Sequence, residues 1–398
     1  MEQHTRRERP LPSPAHQIET DDRTALVCKP RTKGGNSDLP SAGFNVINSI
    51  IGSGIIGLPY SMKQAGFPLG ILLLVGVAYI TDYSIILLIK GGNLSSTNSY
   101  QELVNKSYGF IGYLILSTLQ FLYPFIAMIS YNIIAGDTLT KVFQTIPGVG
   151  PDNLLTYRQV IILCITIIFT LPMSLYRDIA KLAKVSFISL ILTTVILVIV
   201  MIRTTTLGPL VPKTESAWIF AKSNAIQAIG VMSFGDIFEN YCRDDDLATF
   251  GRFCYGVTII LTFPIECFVT REVIANVFFS GTLTTILHVA VTVIVVAVAT
   301  SISLVYDCLG IVLELNGILS ATPLVFIIPT ACYLKLSEER WNHSDNLISG
   351  LILTVGVLVM TVGFVMTILH PQECSHGKEM FYCFPHNASL YNSTLPPF

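Results

Sequence analysis

Long apolar runs separated by short polar stretches dominate this chain from about residue 41 onward. They fall at about 41–62, 68–89, 110–138, 157–174 and 184–203, then at about 253–270, 282–306, 309–334 and 347–369. A helix rises about 1.5 Å per residue and a hydrocarbon core is about 30 Å thick. Each run is therefore long enough, or nearly so, to cross a bilayer. The runs do not alternate with period two, and lipid-facing backbone must bond within its own segment, so helices are expected and strands are not. The pattern predicts an all-α, polytopic membrane bundle of about nine spans.

Composition agrees. The chain is 52% hydrophobic and 13% charged, with a mean hydropathy of +0.63, against about 25% charged in ordinary soluble domains. A lipid bilayer is the partner this composition calls for. The net charge of -2 offers no basic excess for a nucleic-acid partner, and no DNA- or RNA-binding motif is present.

Charge orients the spans. Residues 1–40 are polar, with Arg6, Arg7, Arg9, Arg23, Lys29, Arg31 and Lys33, and read as a disordered cytosolic arm without a cleavable signal. Arg177, Lys181 and Lys184 crowd the short loop at 174–184. An even number of spans separates these two segments, so both lie on one side, which the positive-inside rule makes cytosolic. The tail at 370–398 then lies on the other side. It carries Asn387-Ala-Ser and Asn392-Ser-Thr, two N-glycosylation sequons, together with Cys374 and Cys383, a candidate disulfide pair. Asn93, Asn105 and Asn342 also stand in sequons, on the cytosolic side where they could not be used. The secretory route is implied, with the plasma membrane as default and an endolysosomal membrane as the alternative.

Two stretches break the pattern. The segment 204–252 is polar and long for a loop in a compact bundle. Within it, Asn224–Phe234 is apolar but too short to span, like a helix that stops at Gly235-Asp236. The first span contains Ile51-Gly-Ser-Gly-Ile-Ile-Gly-Leu-Pro59. Gly costs about 1 kcal/mol against Ala in a helix, and Pro removes a backbone bond. An unwound turn at bilayer depth is tolerated where it lines a cavity, and its freed groups suit a substrate carboxylate and Na⁺. Gly52 and Gly54 do not share a helix face, which argues against simple helix packing. The candidate substrate-binding residues are Ile51, Gly52, Ser53, Gly54 and Ile55.

Polar groups inside spans are the remaining candidates, because lipid does not accept them cheaply. Hard cations take oxygen ligands, so Asn48 with Thr262, and Thr258 one turn away, form a candidate sodium set. Asp82 and Glu266 are candidates for a proton or polar relay. Asn45 precedes the break as Asn48 does and could likewise give a side-chain oxygen to a cation; Gln120, Asn132, Glu314 and Asn316 are further intramembrane polar groups, and each of these could equally bond across helices. No catalytic constellation, P-loop or HExxH motif stands out, so an enzyme is not expected.

Several of these segments resemble one family. Phe44-Asn-Val-Ile-Asn-Ser-Ile-Ile-Gly-Ser-Gly-Ile-Ile-Gly-Leu-Pro-Tyr60 is similar to the first-span signature of the sodium-coupled neutral amino acid transporters of the amino acid/auxin permease group. Tyr100-Gln-Glu-Leu-Val-Asn-Lys-Ser-Tyr-Gly109 and Leu171-Pro-Met-Ser-Leu-Tyr-Arg-Asp-Ile-Ala-Lys-Leu182 resemble its following loops. Thr262-Phe-Pro-Ile-Glu-Cys-Phe-Val-Thr-Arg271 resembles its later sodium-site span. The resemblance covers roughly 41–369. It implies two inverted five-helix repeats plus a last span, with Na⁺ (the coupling ion) between Asn48 and Thr262, and small neutral amino acids as cargo, some members exchanging a proton.

The resemblance also exposes a gap. After Val231-Met-Ser-Phe234 the family continues through the rest of its sixth helix and all of its seventh. This chain passes directly to Gly235-Asp-Ile-Phe-Glu-Asn-Tyr241, which resembles the loop before the eighth. Losing two spans preserves the orientation of every later helix. The expected division is a first repeat at 41–203, a non-cytosolic segment at 204–252 with its truncated helix at 224–234, and the incomplete second repeat plus last span at 253–369. Three functions follow: a sodium-coupled carrier, a non-transporting or regulatory short form, and a proton-coupled permease.

Overall fold

In the computed structural model, residues 39–51, 62, 65–147, 153–207, 241–242, 245–279, 281–340, 343–369 and 383 are described. Helices account for nearly all of them, and no strand occurs among them. We number the helices α1 (Leu39–Ile51), α2 (Phe67–Ser95), α3 (Tyr100–Thr145), α4 (Arg158–Ser174), α5 (Ala183–Leu207), α6 (Asp246–Phe278), α7 (Thr285–Val305), α8 (Leu309–Leu336) and α9 (Ser344–Leu369). Among the described residues, seven are long and apolar enough to cross a membrane; α4 is a shorter apolar helix, and α1 is the described part of the first apolar run. The molecule is an integral, multi-pass helical membrane protein.

Helix ends extend past the apolar runs because polar caps continue the ladder. Ser99 accepts from the Glu102 N–H at 3.1 Å while Glu102 accepts from the Asn98 N–H at 3.3 Å, a near relative of the capping box. Gly109, at φ 70°, then separates a short first segment of α3 from its long span; that conformation favours glycine. Asp245 caps α6 by accepting from the Ala248 N–H at 2.9 Å. The helix therefore begins at Asp246, well inside the stretch expected to be polar loop at 204–252. Proline shapes two others. Pro172 and Pro323 lack the N–H and crowd the preceding turn, and wide π turns lie beside them at Thr166–Thr170, Gly317–Ala321 and Pro323–Ile327.

Burial ranks the helices. In the most apolar window of α6, 72% of residues are buried inside the bundle, against 11% in α2 and 22% in α9. α6 is thus the central post and α2 and α9 face outward. The main core joins α6 to α3 through Tyr131, Ile133, Tyr255, Ile259 and Phe263. Close approach depends on small residues, as membrane packing requires. A Cβ on Gly256 of α6 would lie 2.8 Å from Leu139 of α3, and one on Gly136 of α3 would lie 2.5 Å from Ile162 of α4.

Polar contacts join helix ends in two sets. At one end Asp137 pairs with Arg158 at 2.5 Å, and Arg158 also reaches the Ser303 carbonyl at 3.2 Å. Arg203 pairs with Asp245 there. At the opposite end Lys90 pairs with Asp345 at 2.6 Å, and Arg177 donates to the Leu283 carbonyl at 2.7 Å. Every pair joins ends that an alternating up-down path puts on the same side.

The first of these ends also carries the disulfides. Cys242 is bonded to Cys383, and Cys308 is disulfide-bonded as well. This corrects the expected Cys374–Cys383 pair: the partner of Cys383 is 141 residues away in sequence. Cys374 itself lies outside the described residues. Arg252, 2% exposed, holds the Cys242 segment by donating to the Tyr241 carbonyl at 2.6 Å and the Cys242 carbonyl at 3.3 Å. That anchoring presents Cys242 to the C-terminal segment.

Candidate functional site

The described part of the expected break is short. Ile51 ends α1; Gly52, Ser53, Gly54 and Ile55 lie outside the described residues, as do the arm up to residue 38, the short apolar stretch at 224–234, and Asn387 and Asn392. α1 packs against α5 and α6, and its two asparagines are buried there. Asn45 and Asn48 are both buried, 6% and 0% exposed, whereas Val46, Ile47 and Ile50 on the other face are exposed.

Those two asparagines do different things. Asn45 donates to the Ile179 carbonyl at 2.9 Å and accepts from Ser186 Oγ at 2.6 Å. It ties α1 to the 174–184 loop and to α5, so its role is structural. Asn48, three residues on, has neither its Nδ2 nor its Oδ1 paired among the described residues, although both are buried. An unpaired buried amide costs on the order of 1–3 kcal/mol per group.

α6, which α1 contacts, carries Thr258 and Thr262, 2% and 0% exposed. Each hydroxyl donates back along its own helix, Thr258 to the Cys254 carbonyl at 2.9 Å and Thr262 to the Thr258 carbonyl at 2.8 Å. Their hydrogens are thereby turned away and their lone pairs are left available. Pro264 follows two residues later inside the helix. Lacking an N–H, it withdraws the intrahelical donor from the Ile260 carbonyl. Asn48 Oδ1, the Thr258 and Thr262 hydroxyls and the freed Ile260 carbonyl are all oxygens, the ligand type a hard cation takes.

The remaining candidates sort themselves. Glu266, 8% exposed, lies one turn beyond Thr262, within electrostatic reach of the Tyr123 phenol on α3. Asp82 does not join the site. α2 packs through Ser84, Leu87 and Gly91, and Asp82, two residues from Ser84, falls on the exposed side. Gln120 accepts from Gln101 at 2.9 Å, and Asn132 donates to Thr300 at 3.3 Å; both are cross-links. Arg252 and Arg271 were not singled out in the sequence, although a charge at each border of the apolar run 253–270 is the signal that flags them. Arg271 donates to the carbonyls of Ser174 at 2.7 Å and Tyr176 at 3.0 Å, and His288 bonds the Leu175 carbonyl at 3.1 Å. Together they close the end of α4.

Comparison with known proteins places this geometry in a context. The transmembrane amino acid transporter protein family matches residues 35–235 and 235–369, two segments that meet at residue 235. The chain is 58% identical over 445 aligned positions to a cattle (Bos taurus) protein named "Putative sodium-coupled neutral amino acid transporter 11", covering 98% of this chain and 96% of that one. The human protein of the same name is 60% identical, over 84% of this chain and 95% of its own length. Baker's yeast "Vacuolar amino acid transporter 2" is 26% identical, over 86% of this chain and 85% of its own. The cattle alignment runs to 445 positions against 398 residues here, so it opens gaps in this chain.

Proposed function

The chain belongs to the transmembrane amino acid transporter protein family, an amino acid transporter and not an enzyme, and we propose that it couples the movement of small neutral amino acids to Na⁺. The observation that carries this reading is Asn48, whose buried amide has no partner among the described residues and stands on a helix that contacts α6, the helix of Thr258 and Thr262. Na⁺ would sit among Asn48, Thr262 and Thr258, and the amino acid at the adjoining residues 51–55. The name of the mammalian relatives supports sodium as the coupling ion. Exchange of a proton accompanies this cycle, and Glu266, one turn beyond Thr262, is a buried acid on the same helix.

The orientation belongs to the same proposal. The basic loop at 174–184 faces the cytosol, and the end bearing Cys242, Cys308 and Cys383 faces an oxidising compartment. Asn387 and Asn392 are then open to glycosylation. The route ends in the plasma membrane or in an endolysosomal membrane.

Sodium-dependent uptake of radiolabelled alanine or glutamine into proteoliposomes tests the carrier reading. Uptake above empty vesicles that disappears when choline replaces external Na⁺ supports it; uptake that survives choline and follows a pH gradient favours a proton-coupled permease instead.

A second reading has its own observation. The family match breaks and resumes at residue 235, directly after the short apolar stretch at 224–234. A shortened form lacking about two spans would leave the α1 pocket open on one side. It would then act as a non-transporting or regulatory partner of a full-length carrier. Absence of uptake, with reduced activity of a co-expressed full-length relative, supports this second reading.

A further inference from the structure

Glu314 on α8 is 0% exposed and lies five residues from the helix start, about 7–8 Å below the disulfide-bearing end by helix rise. Its Oε1 is 2.8 Å from the Thr367 hydroxyl of α9, and its Oε2 is buried without a partner. Thr367 Oγ is also 2.9 Å from the Gly363 carbonyl of its own helix. A hydroxyl has one hydrogen. The Gly363 oxygen can only accept, and so can a carboxylate, so an ionised Glu314 leaves one of these two contacts without a hydrogen. Both become hydrogen bonds only when Glu314 supplies the second one, donating its O–H to Thr367 Oγ while Thr367 donates to Gly363. The backward bond to the carbonyl four residues earlier is what Thr258, Thr262 and Thr270 also make.

The surroundings agree with a neutral acid. No cation pairs with Glu314 among the described residues. On α3, Asp137 is paired with Arg158, Lys141 lies further toward the disulfide-bearing end, and Glu102 and Lys106 lie near the opposite one. On α9, Asp345 is paired with Lys90 at that opposite end. On α8, Lys335 lies there too, over the Tyr108 ring, and Asp307 is exposed just before the helix. Two residues on from Glu314, Asn316 Nδ2 donates to the Tyr123 carbonyl of α3 at 3.3 Å. An unpaired carbonyl oxygen of a carboxylic acid is far less costly in a dry bundle than an unpaired carboxylate oxygen.

We infer that Glu314 is a proton-binding site of the bundle, its O–H held by Thr367 and released to water on the disulfide-bearing side when α8 and α9 part. Deprotonation turns the Thr367 hydrogen from Gly363 to the carboxylate and leaves Oε2 charged and unpaired, so loss of the proton favours a rearranged α8–α9 contact. Only the transport consequence rests on the carrier reading: Glu314 would hold the exchanged proton.

Infrared spectroscopy of the purified full-length protein in lipid tests the site without requiring transport. A protonated-carboxyl stretching band is expected near neutral pH, lost in Glu314→Gln and retained but shifted in Thr367→Val, which keeps the acid and removes its acceptor. A band unchanged in folded Glu314→Gln overturns the proposal, and so does an unshifted band in Thr367→Val. Uptake measured in parallel separates the two readings. A band that behaves as expected in a protein without uptake rejects the carrier alone, whereas pH-gradient-driven uptake unaffected by Glu314→Gln overturns Glu314 as the carrier's proton site.

Discussion

Arg271 of α6 donates to the carbonyl oxygen of Ser174 at 2.7 Å, so a guanidinium from one helix closes the end of another. The last carbonyls of a helix have no intrahelical donor, and a cation there also complements the helix dipole. Arg271 is 3% exposed and bonds Tyr176 and Thr292 as well. Removing it strands buried acceptors at about 1–3 kcal/mol each. Arg271→Ala is therefore expected to lower the thermal unfolding temperature in detergent strongly. Arg271→Lys should recover only part of the loss, because one ammonium cannot reproduce the planar fork. Equal stability of wild type and Arg271→Ala would remove this capping role.

The Cys242–Cys383 bond predicts a labelling pattern. In Cys383→Ser, Cys242 should react with a membrane-impermeant maleimide after the protein is unfolded without reductant; in Cys374→Ser it should stay protected. The reverse pattern would restore the pair that the tail alone suggests.

Much of the fold was legible in the sequence because burial in lipid writes itself into long apolar runs. The alternation of helix direction was legible too, and the observed end-to-end contacts respect it. Long-range pairing was not legible. Cys374 and Cys383 are close in sequence, but the distance that matters is set by Arg252 holding the Cys242 segment. The polar groups were visible as a set, and their individual roles were not. Asn45 and Asn48 read alike in the chain, yet one meets Ile179 and Ser186 while the other meets no partner. Asp82 looked like a relay because any charge in a span does; its turn of helix faces away from the α2 contact.

Helix contact at Gly256 predicts a size limit. An added methyl would sit 2.8 Å from Leu139 Cγ and Cδ2, inside van der Waals contact. Gly256→Ala is expected to cost about 1–3 kcal/mol through overpacking, although Ala is the better helix former by about 1 kcal/mol. Gly350→Ala, with nothing within 4 Å of its Cβ, should be neutral or stabilising. Pairing Gly256→Ala with Leu139→Ala should recover part of the loss, since contacting residues do not add independently. Unfolding temperatures of the four variants in the same detergent check this, and strict additivity would contradict the contact.

Asn48 and Asn45 give the sharpest separation of site from scaffold. Asn45→Ala leaves the Ile179 carbonyl without its donor and Ser186 without its acceptor, so it should destabilise the fold by about 1–3 kcal/mol. Asn48→Ala removes an amide that bonds nothing in the bundle, so without sodium it should unfold no earlier than wild type. A ligand that binds only the folded state stabilises it in proportion to the logarithm of its concentration over Kd. Raising NaCl at constant ionic strength, with choline chloride as the balance, should therefore raise the unfolding temperature of wild type and of Asn45→Ala. The same titration should leave Asn48→Ala flat, and Thr262→Ala flat or nearly so. This pattern needs no transport, so it tests the cation site even if the shortened chain carries no substrate. A sodium response that survives Asn48→Ala would move the ion away from α1.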